Sequence, residues 1–293
     1  MPSPVGIVGT GSVAQALGRL LRQRGMPVAA VAGRDRCRTE QAARFIGGDI
    51  IPTSINELAR TVSRVVVATS DDRIGPAAEQ LATAGFHSGE ALHTCGAQPP
   101  DALRRLRDRG THVGLLHPLQ TIPNPEKGVT DLPGIPFGIA GDPRAVAWAR
   151  EIAALLQGVE VHVDPDHISL YHAAAVMASG GLLAVVHAAS AMMRSAGIDS
   201  DSSLRAIERL CRTTLTNAFE SEPAAVLTGP IVRGNVETVA AHLRALSTAP
   251  DELRNFYLAV SRVLLELAQQ RGLPDASRKE IQATIDRESG SGR

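Results

Sequence analysis

From Val5 the chain runs Val-Gly-Ile-Val-Gly-Thr-Gly-Ser-Val-Ala, an apolar run that gives way to small residues at positions 9, 11 and 14. Val5 to Gly9 predicts a buried strand. Ser12 to Arg24 predicts an amphipathic helix closed by Gly25. A strand that turns into a helix over G-x-G-x-x-A narrows the possible folds more than anything else in the chain. Gly9 makes the tight turn, Gly11 lets a pyrophosphate approach the backbone, and Ala14 lets the helix pack on the strand. The free N–H groups at the start of the Ser12 helix favour an anion there, so Thr10, Ser12 and Val13 join the expected phosphate seat.

A second strand, Val28 to Ala32, ends in Gly33-Arg34-Asp35-Arg36. An acidic residue at this tip accepts from a ribose 2′-hydroxyl and selects NAD, whereas arginine pairs with a 2′-phosphate and selects NADP. Arg34 and Arg36 favour NADP over NAD, and Asp35 would reverse that preference if it turned inward.

The first half goes on alternating apolar runs with amphipathic stretches, the pattern of a parallel α/β sheet. A helix is expected over about 39–45, a short strand at Ile50 and Ile51, and a capping box between Ser54 and Glu57. Val65 to Thr69, Ala91 to Thr94 and Val113 to Leu116 read as buried strands. Pro118 to Pro136 reads as loop. Ile135 to Ala140 and Val159 to Val163 read as closing strands around a helix capped by Asp142, with Pro143 at its first position. No strand signal follows Val163. A long helix from Asp164 and Pro165 to about Arg194 leads into helices over 202–220, 237–246, 251–270 and 275–287, with a frayed tail from Ser289. The expected fold class is α/β: a mostly parallel, doubly wound sheet over residues 1–163, followed by an all-α domain over 164–293.

The 293 residues carry 30 basic and 30 acidic side chains, so the charge footprint of a nucleic-acid binder is missing. Cys37, Cys95 and Cys211 form no C-x-x-C pair, which argues against a zinc site or a disulfide framework and fits a reducing, cytoplasmic setting. The N-terminus lacks the pattern of a secretory signal. Ala173 to Met193 is long enough to span a bilayer, but its Ala, Gly and Ser content and His187 favour a helix packed against protein.

Ligands of an open α/β sheet bind beyond the carboxyl ends of its strands. Three polar segments reach that rim: Thr69-Ser70-Asp71-Asp72, His93-Thr94-Cys95-Gly96 and His117-Pro118-Leu119-Gln120-Thr121. Thr69, Ser70, Thr94, Cys95 and Gly96 are expected on the cofactor side, and His117 and Gln120 on a substrate carboxylate or carbonyl. On the long helix, His172 and Ser179 are seven residues apart and share a face. His172 is the expected proton donor to a carbonyl or imine. Thr228 sits in a loop, 227–235, that interrupts the helical half and is expected to contact substrate.

Taken together, Gly9-Thr10-Gly11-Ser12-Val13-Ala14, His117-Pro118-Leu119-Gln120, Tyr171-His172-Ala173-Ala174-Ala175 and Leu227-Thr228-Gly229-Pro230-Ile231-Val232-Arg233-Gly234 give a resemblance over nearly the whole chain. It resembles the Rossmann-like oxidoreductases with a C-terminal domain of unknown function 2520, relatives of the 6-phosphogluconate dehydrogenase-like, ketopantoate reductase and pyrroline-5-carboxylate reductase proteins. The resemblance implies a Rossmann domain, a helical second domain, NADP, and a homodimer through the helices. The expected activity is reduction of a small carboxylate-bearing carbonyl or imine, with ketopantoate as the leading example. The family commonly reads Ala-Ser-Asn after the Tyr-His-Ala run, and here Gly180 stands in the asparagine's place. That departure motivates the alternative of a non-catalytic NADP-binding sensor or scaffold.

Overall fold

The computed structural model describes residues 3–290. Its first part follows the order β1 (Val5–Val8), α1 (Ser12–Gln23), β2 (Val28–Ala32), α2 (Arg36–Ile46), β3 (Ile51–Thr53), α3 (Ile55–Leu58), β4 (Arg64–Val67), α4 (Asp71–Thr83), β5 (Glu90–His93), α5 (Arg104–Arg107), β6 (His112–Pro118), α6 (Pro125–Asp131), β7 (Pro136–Gly141), α7 (Pro143–Leu155) and β8 (Val159–His162). The strands make one sheet in the order β3-β2-β1-β4-β5-β6-β7-β8. Neighbours are parallel except β6 and β7, which are antiparallel.

Strand periodicity builds a core on each face of this sheet. Ile7, Val31 and Val66 face α1, α2 and α7, where Leu17, Leu21, Ile46 and Trp148 are buried. Val8, Ala32, Val65 and Val67 face α3 and α4, where Leu58, Ile74 and Leu81 are buried. The sheet is therefore doubly wound, and the direction of winding reverses beside β1, where open α/β sheets bind ligands.

Several expected boundaries shift, each for a local reason. Helix α2 begins at Arg36 rather than 39, because the Asp35 side chain accepts from the Arg38 N–H at 2.7 Å and caps it. Helix α4 was not legible, since Gly75 and Pro76 interrupt its pattern, yet it runs through both. The stretch 118–136 is not all loop: the Asn124 side chain caps α6 and Pro125 occupies its first position. The Ser54–Glu57 capping box forms as expected. Asp142 precedes α7, but its carboxylate accepts from the Val113 N–H at 2.8 Å instead of capping the helix.

After β8 a 3-10 turn (Pro165–His167) leads into α8 (Ile168–Val176), a π-helical turn (Met177–Gly181) and α9 (Leu182–Ser195). The long expected helix is thus real but locally widened at Ser179 and Gly180. Pro165–Ser195 is also the stretch among the described residues that is long and apolar enough to cross a membrane by length and composition. The chain divides into two compact units between Gly181 and Leu182, so α8 belongs with the sheet and the first unit runs past the expected boundary at 163. Ile168 explains this, since it is buried with Leu115, Ala140 and Val163.

The second unit is helical: α9, α10 (Ser200–Glu220), α11 (Pro223–Val226), α12 (Val236–Ala245), α13 (Asp251–Gln270) and α14 (Asp275–Gly290). Its core includes Ile231, Val239, Leu243, Leu258, Leu265 and Ile281. Helix α14 continues through the expected fraying point at Ser289 to Gly290; residues 291–293 lie outside the described residues.

Candidate functional site

A cleft of about 650 Å³ opens at the carboxyl ends of β1, β2, β4, β5 and β6, entirely within the first unit. That volume suits a ligand of cofactor size. Its floor is the β1–α1 turn. Gly9 has φ +131, and a Cβ there would collide with the Ala68 carbonyl oxygen on the neighbouring strand end. A Cβ on Gly11 would meet nothing within 4 Å, so this position faces open cleft where a phosphate can come up to the backbone. Gly11 is also the N-cap of α1 and supplies no capping side chain, which leaves the first N–H groups of the helix to a ligand.

Most of the expected residues come together here. Thr10, Ser12, Val13, Arg34, Thr69, Ser70, Thr94, Cys95, Gly96, His117 and His172 line the same cleft as Gly9 and Gly11. Three expected residues of the first unit do not line it. Arg36 points to solvent, with its side chain 94% exposed and paired to Glu40 at 3.0 Å one helical turn on. The Gln120 side chain folds back to accept from the Thr121 N–H at 2.8 Å. The Ser179 hydroxyl donates to the Ala175 carbonyl at 2.8 Å, as serines inside helices often do. Thr228 belongs to the second unit. Its loop has a structural duty there: Ile231 enters the helical core, the Asn235 side chain caps α12, and Arg271 donates to the Leu227 carbonyl.

Sequence reading missed Arg38 and Arg73, which join Arg34 in lining the cleft. Arg38 lies four residues beyond Arg34, visible once α2 starts at Arg36. Arg73 sits in the first turn of α4, the helix hidden by Pro76. Asp35, whose orientation bears on cofactor choice, is spent on capping α2.

Two imidazoles mark another part of the cleft. His117 and His172 meet edge to face with ring centroids 6.2 Å apart. Burial, with His172 adding to it, holds His117 well below the usual imidazole range, at about 4. The Cys95 thiol is pushed up to about 11, chiefly by burial, so it stays protonated and unreactive. Among the described residues no three His, Cys, Asp or Glu side chains gather as a metal set.

His93, on the β5 end beside the cleft, is fully buried. Its Nε2 lies 3.1 Å from the Pro99 carbonyl oxygen, and its Nδ1 has no partner. Burial lowers its pKa to about 4, against about 6.5 in an unfolded chain. Between those values the unfolded state takes up a proton that the folded state refuses. Stability is therefore complete above pH 6.5 and falls as pH drops towards 4. We expect a loss on the order of 2 kcal/mol by pH 4.5 in urea titrations. His93→Gln, which keeps a donor for Pro99, should remove its share of the slope between pH 4.5 and 7 and leave that of His117, which burial lowers alike.

Comparison with known proteins fits this layout. Residues 3–118 match a Rossmann-like domain, and residues 135–264 match a domain of unknown function, DUF2520. The two matches follow one another along the chain, with residues 119–134 between them. A comparison with curated proteins finds no match. Among solved structures, a Bacteroides fragilis protein provisionally described as an NADP oxidoreductase is similar at TM-score 0.71 and 22% identity, over 90% of this chain and 98% of that one. A reductive aminase from Aspergillus terreus, in complex with NADPH and ethyl levulinate, is similar at TM-score 0.64 and 18% identity, over 98% and 99%. A pyrroline-5-carboxylate reductase from Coxiella burnetii is similar at TM-score 0.59 and 14% identity, over 99% and 98%. At these identities the likeness is one of fold. The DUF2520 match starts before β7, so part of that domain builds the sheet: His117 comes from the Rossmann-like segment, and Tyr171 and His172 come from DUF2520.

Proposed function

We propose that this protein is an NADP-dependent reductase of a small carbonyl or imine substrate bearing a carboxylate. The observation that carries the reading is one cleft with a glycine-turn phosphate seat, three arginines and two imidazoles. Arg34, Arg38 and Arg73 suit a 2′-phosphate, which guanidinium groups pair bidentately. The Gly9–Val13 turn holds the pyrophosphate, and Thr69, Ser70 and Thr94 offer hydroxyls to the rest of the dinucleotide. When bound, the nicotinamide supplies hydride. His117 offers a neutral imidazole to the substrate, and His172, or a water it orients, supplies the proton.

The fold's company among an imine reductase from a Pseudomonas species and pyrroline-5-carboxylate reductases supports an imine at least as well as ketopantoate. Apolar side chains left open on the helices support a homodimer: Leu183 on α9, Leu210 and Phe219 on α10 and Val263 on α13 are each more than half exposed. We read the Pro165–Ser195 helix in the same way, as a protein-packing surface in a cytoplasmic enzyme, because its first half is tied to the sheet through Ile168 and Tyr171.

Fluorescence titration should show NADPH binding at least about tenfold tighter than NADH, and light scattering should show twice the chain mass. Turnover of either pyrroline-5-carboxylate or ketopantoate with NADPH would fix the reaction class. Tight NADPH binding with no oxidation across keto acids and cyclic imines would instead establish the sensor reading that Gly180 motivates. No NADPH binding would end both.

A further inference from the structure

Tyr171 takes no part in the function described so far, yet the fold goes to some length to place it. Its hydroxyl lies 2.8 Å from Nδ1 of His117, with the two rings nearly perpendicular and their centroids 5.6 Å apart. Room for this pair is left by two glycines, one on β7 and one just after β5. His117 on β6 stands opposite Gly138 on β7, and a Cβ on Gly138 would collide with the Tyr171 hydroxyl and stand 2.9 Å from its ring. A Cβ on Gly96, after β5, would lie 2.5 Å from Cε1 of the His117 ring. Neither side chain could occupy its position if these two residues were alanine.

We propose that Tyr171 is a positioning residue that donates its phenolic hydrogen to His117 Nδ1, fixing the histidine tautomer in which Nε2–H is turned to the cleft as a donor for the substrate's carbonyl oxygen or imine nitrogen. This rests on the reductase reading above.

Satisfaction of hydrogen bonds decides the direction. His117 Nε2 has no protein partner among the described residues, and the Tyr171 hydroxyl has only His117. If Nδ1 carried the proton, it would donate to the phenol oxygen, and the half-buried phenolic hydrogen would be left with no protein acceptor. If Nε2 carries it, the phenol donates, Nδ1 accepts, and the only free group is the N–H of a ring that lines the cleft. Burial favours the same state. It pushes the Tyr171 hydroxyl up to about 12 and holds His117 at about 4, so both groups are neutral across the physiological range. A neutral imidazole N–H is a weak acid. It polarises a C=O or C=N bond by donating a hydrogen bond, and it keeps its proton, which leaves the transferred proton to His172 or water.

The test is two-bond proton–nitrogen NMR of the histidine rings in the full-length protein, with the His117 signals assigned by their loss in His117→Gln. The wild type should show Nε2 as a protonated nitrogen and Nδ1 as an unprotonated nitrogen shifted by a hydrogen bond. In Tyr171→Phe, the Nδ1 signal should move several ppm towards the position of a bare ring nitrogen while Nε2 stays protonated. A wild-type protein with the proton on Nδ1 would overturn the proposal, whatever Tyr171→Phe shows. So would an Nδ1 signal that Tyr171→Phe leaves unmoved. NADPH added to the same samples separates the two ideas: failure to bind it would sink the reductase reading and leave the tautomer as measured.

Discussion

Alanine at Gly9 should lower folding stability by about 4 kcal/mol and remove detectable NADPH binding. Two independent costs meet at this residue. The backbone holds φ +131, a region that residues with a Cβ rarely enter. The added methyl would also press on the Ala68 carbonyl oxygen, part of the rigid strand end that carries the Thr69–Ser70 rim. The neighbouring strand cannot give way easily, because the Ala68 N–H donates to the Val8 carbonyl at 2.7 Å. Relaxation must therefore displace the β1–α1 turn, and with it the N–H groups offered to phosphate. Urea denaturation and a fluorescence titration read the two effects. A Gly9→Ala protein of wild-type stability that still binds NADPH would refute the assignment of this turn. Gly11→Ala makes a useful contrast: its Cβ would enter open cleft, so binding should suffer and stability should not.

Removing the Arg34 and Arg73 guanidinium groups together should weaken NADPH binding about 100-fold and change NADH binding by less than about threefold. A charge-assisted contact to phosphate contributes on the order of 1.5–3 kcal/mol when desolvated and less at an open rim. Two partly screened contacts therefore amount to roughly 2.7 kcal/mol, the equivalent of a hundredfold change in affinity. Raising salt should shrink the preference for NADPH in the wild type and have little effect in the double variant. Arg36→Ala supplies the comparison, since that side chain is paired with Glu40 and stands away from the cleft. Titration of both cofactors into all three proteins decides the matter; equal losses for NADH and NADPH in Arg34→Ala/Arg73→Ala would show that the arginines hold something other than a 2′-phosphate.

The parts of this fold that were legible in sequence are those written locally. The β1–α1 turn needs small residues at fixed spacing whatever surrounds it, and the buried parallel strands are continuous apolar runs. Two of the helices that went unread, α4 and α6, contain Gly75 and Pro76 or begin at Pro125, where pattern and propensity disagree and packing settles the outcome. The arginines followed from those errors. Arg36 looks well placed because it is near the β2 tip, but the Asp35 cap starts a helix that turns Arg36 outward and Arg38 inward. Ser179 shares a helical face with His172 only if the helix keeps its ordinary pitch, and the π-helical turn at Met177–Gly181 breaks that register. The Tyr171–His117 bond spans 54 residues and depends on the reversal of β7, which no local pattern announces.

The way α8 is fastened also sets an order of failure. The phosphate seat stands on the two large cores of the sheet, whereas α8 is held by a separate cluster of Leu115, Ala140, Val163 and Ile168 with Tyr171 against it. With so small an anchor, α8 is expected to open at a lower free energy than the phosphate seat. On mild heating the protein should forget how to deliver a proton while it still remembers how to hold a nucleotide. Sequence changes that strengthen or loosen this anchor would then tune the working temperature of the chemistry separately from cofactor affinity.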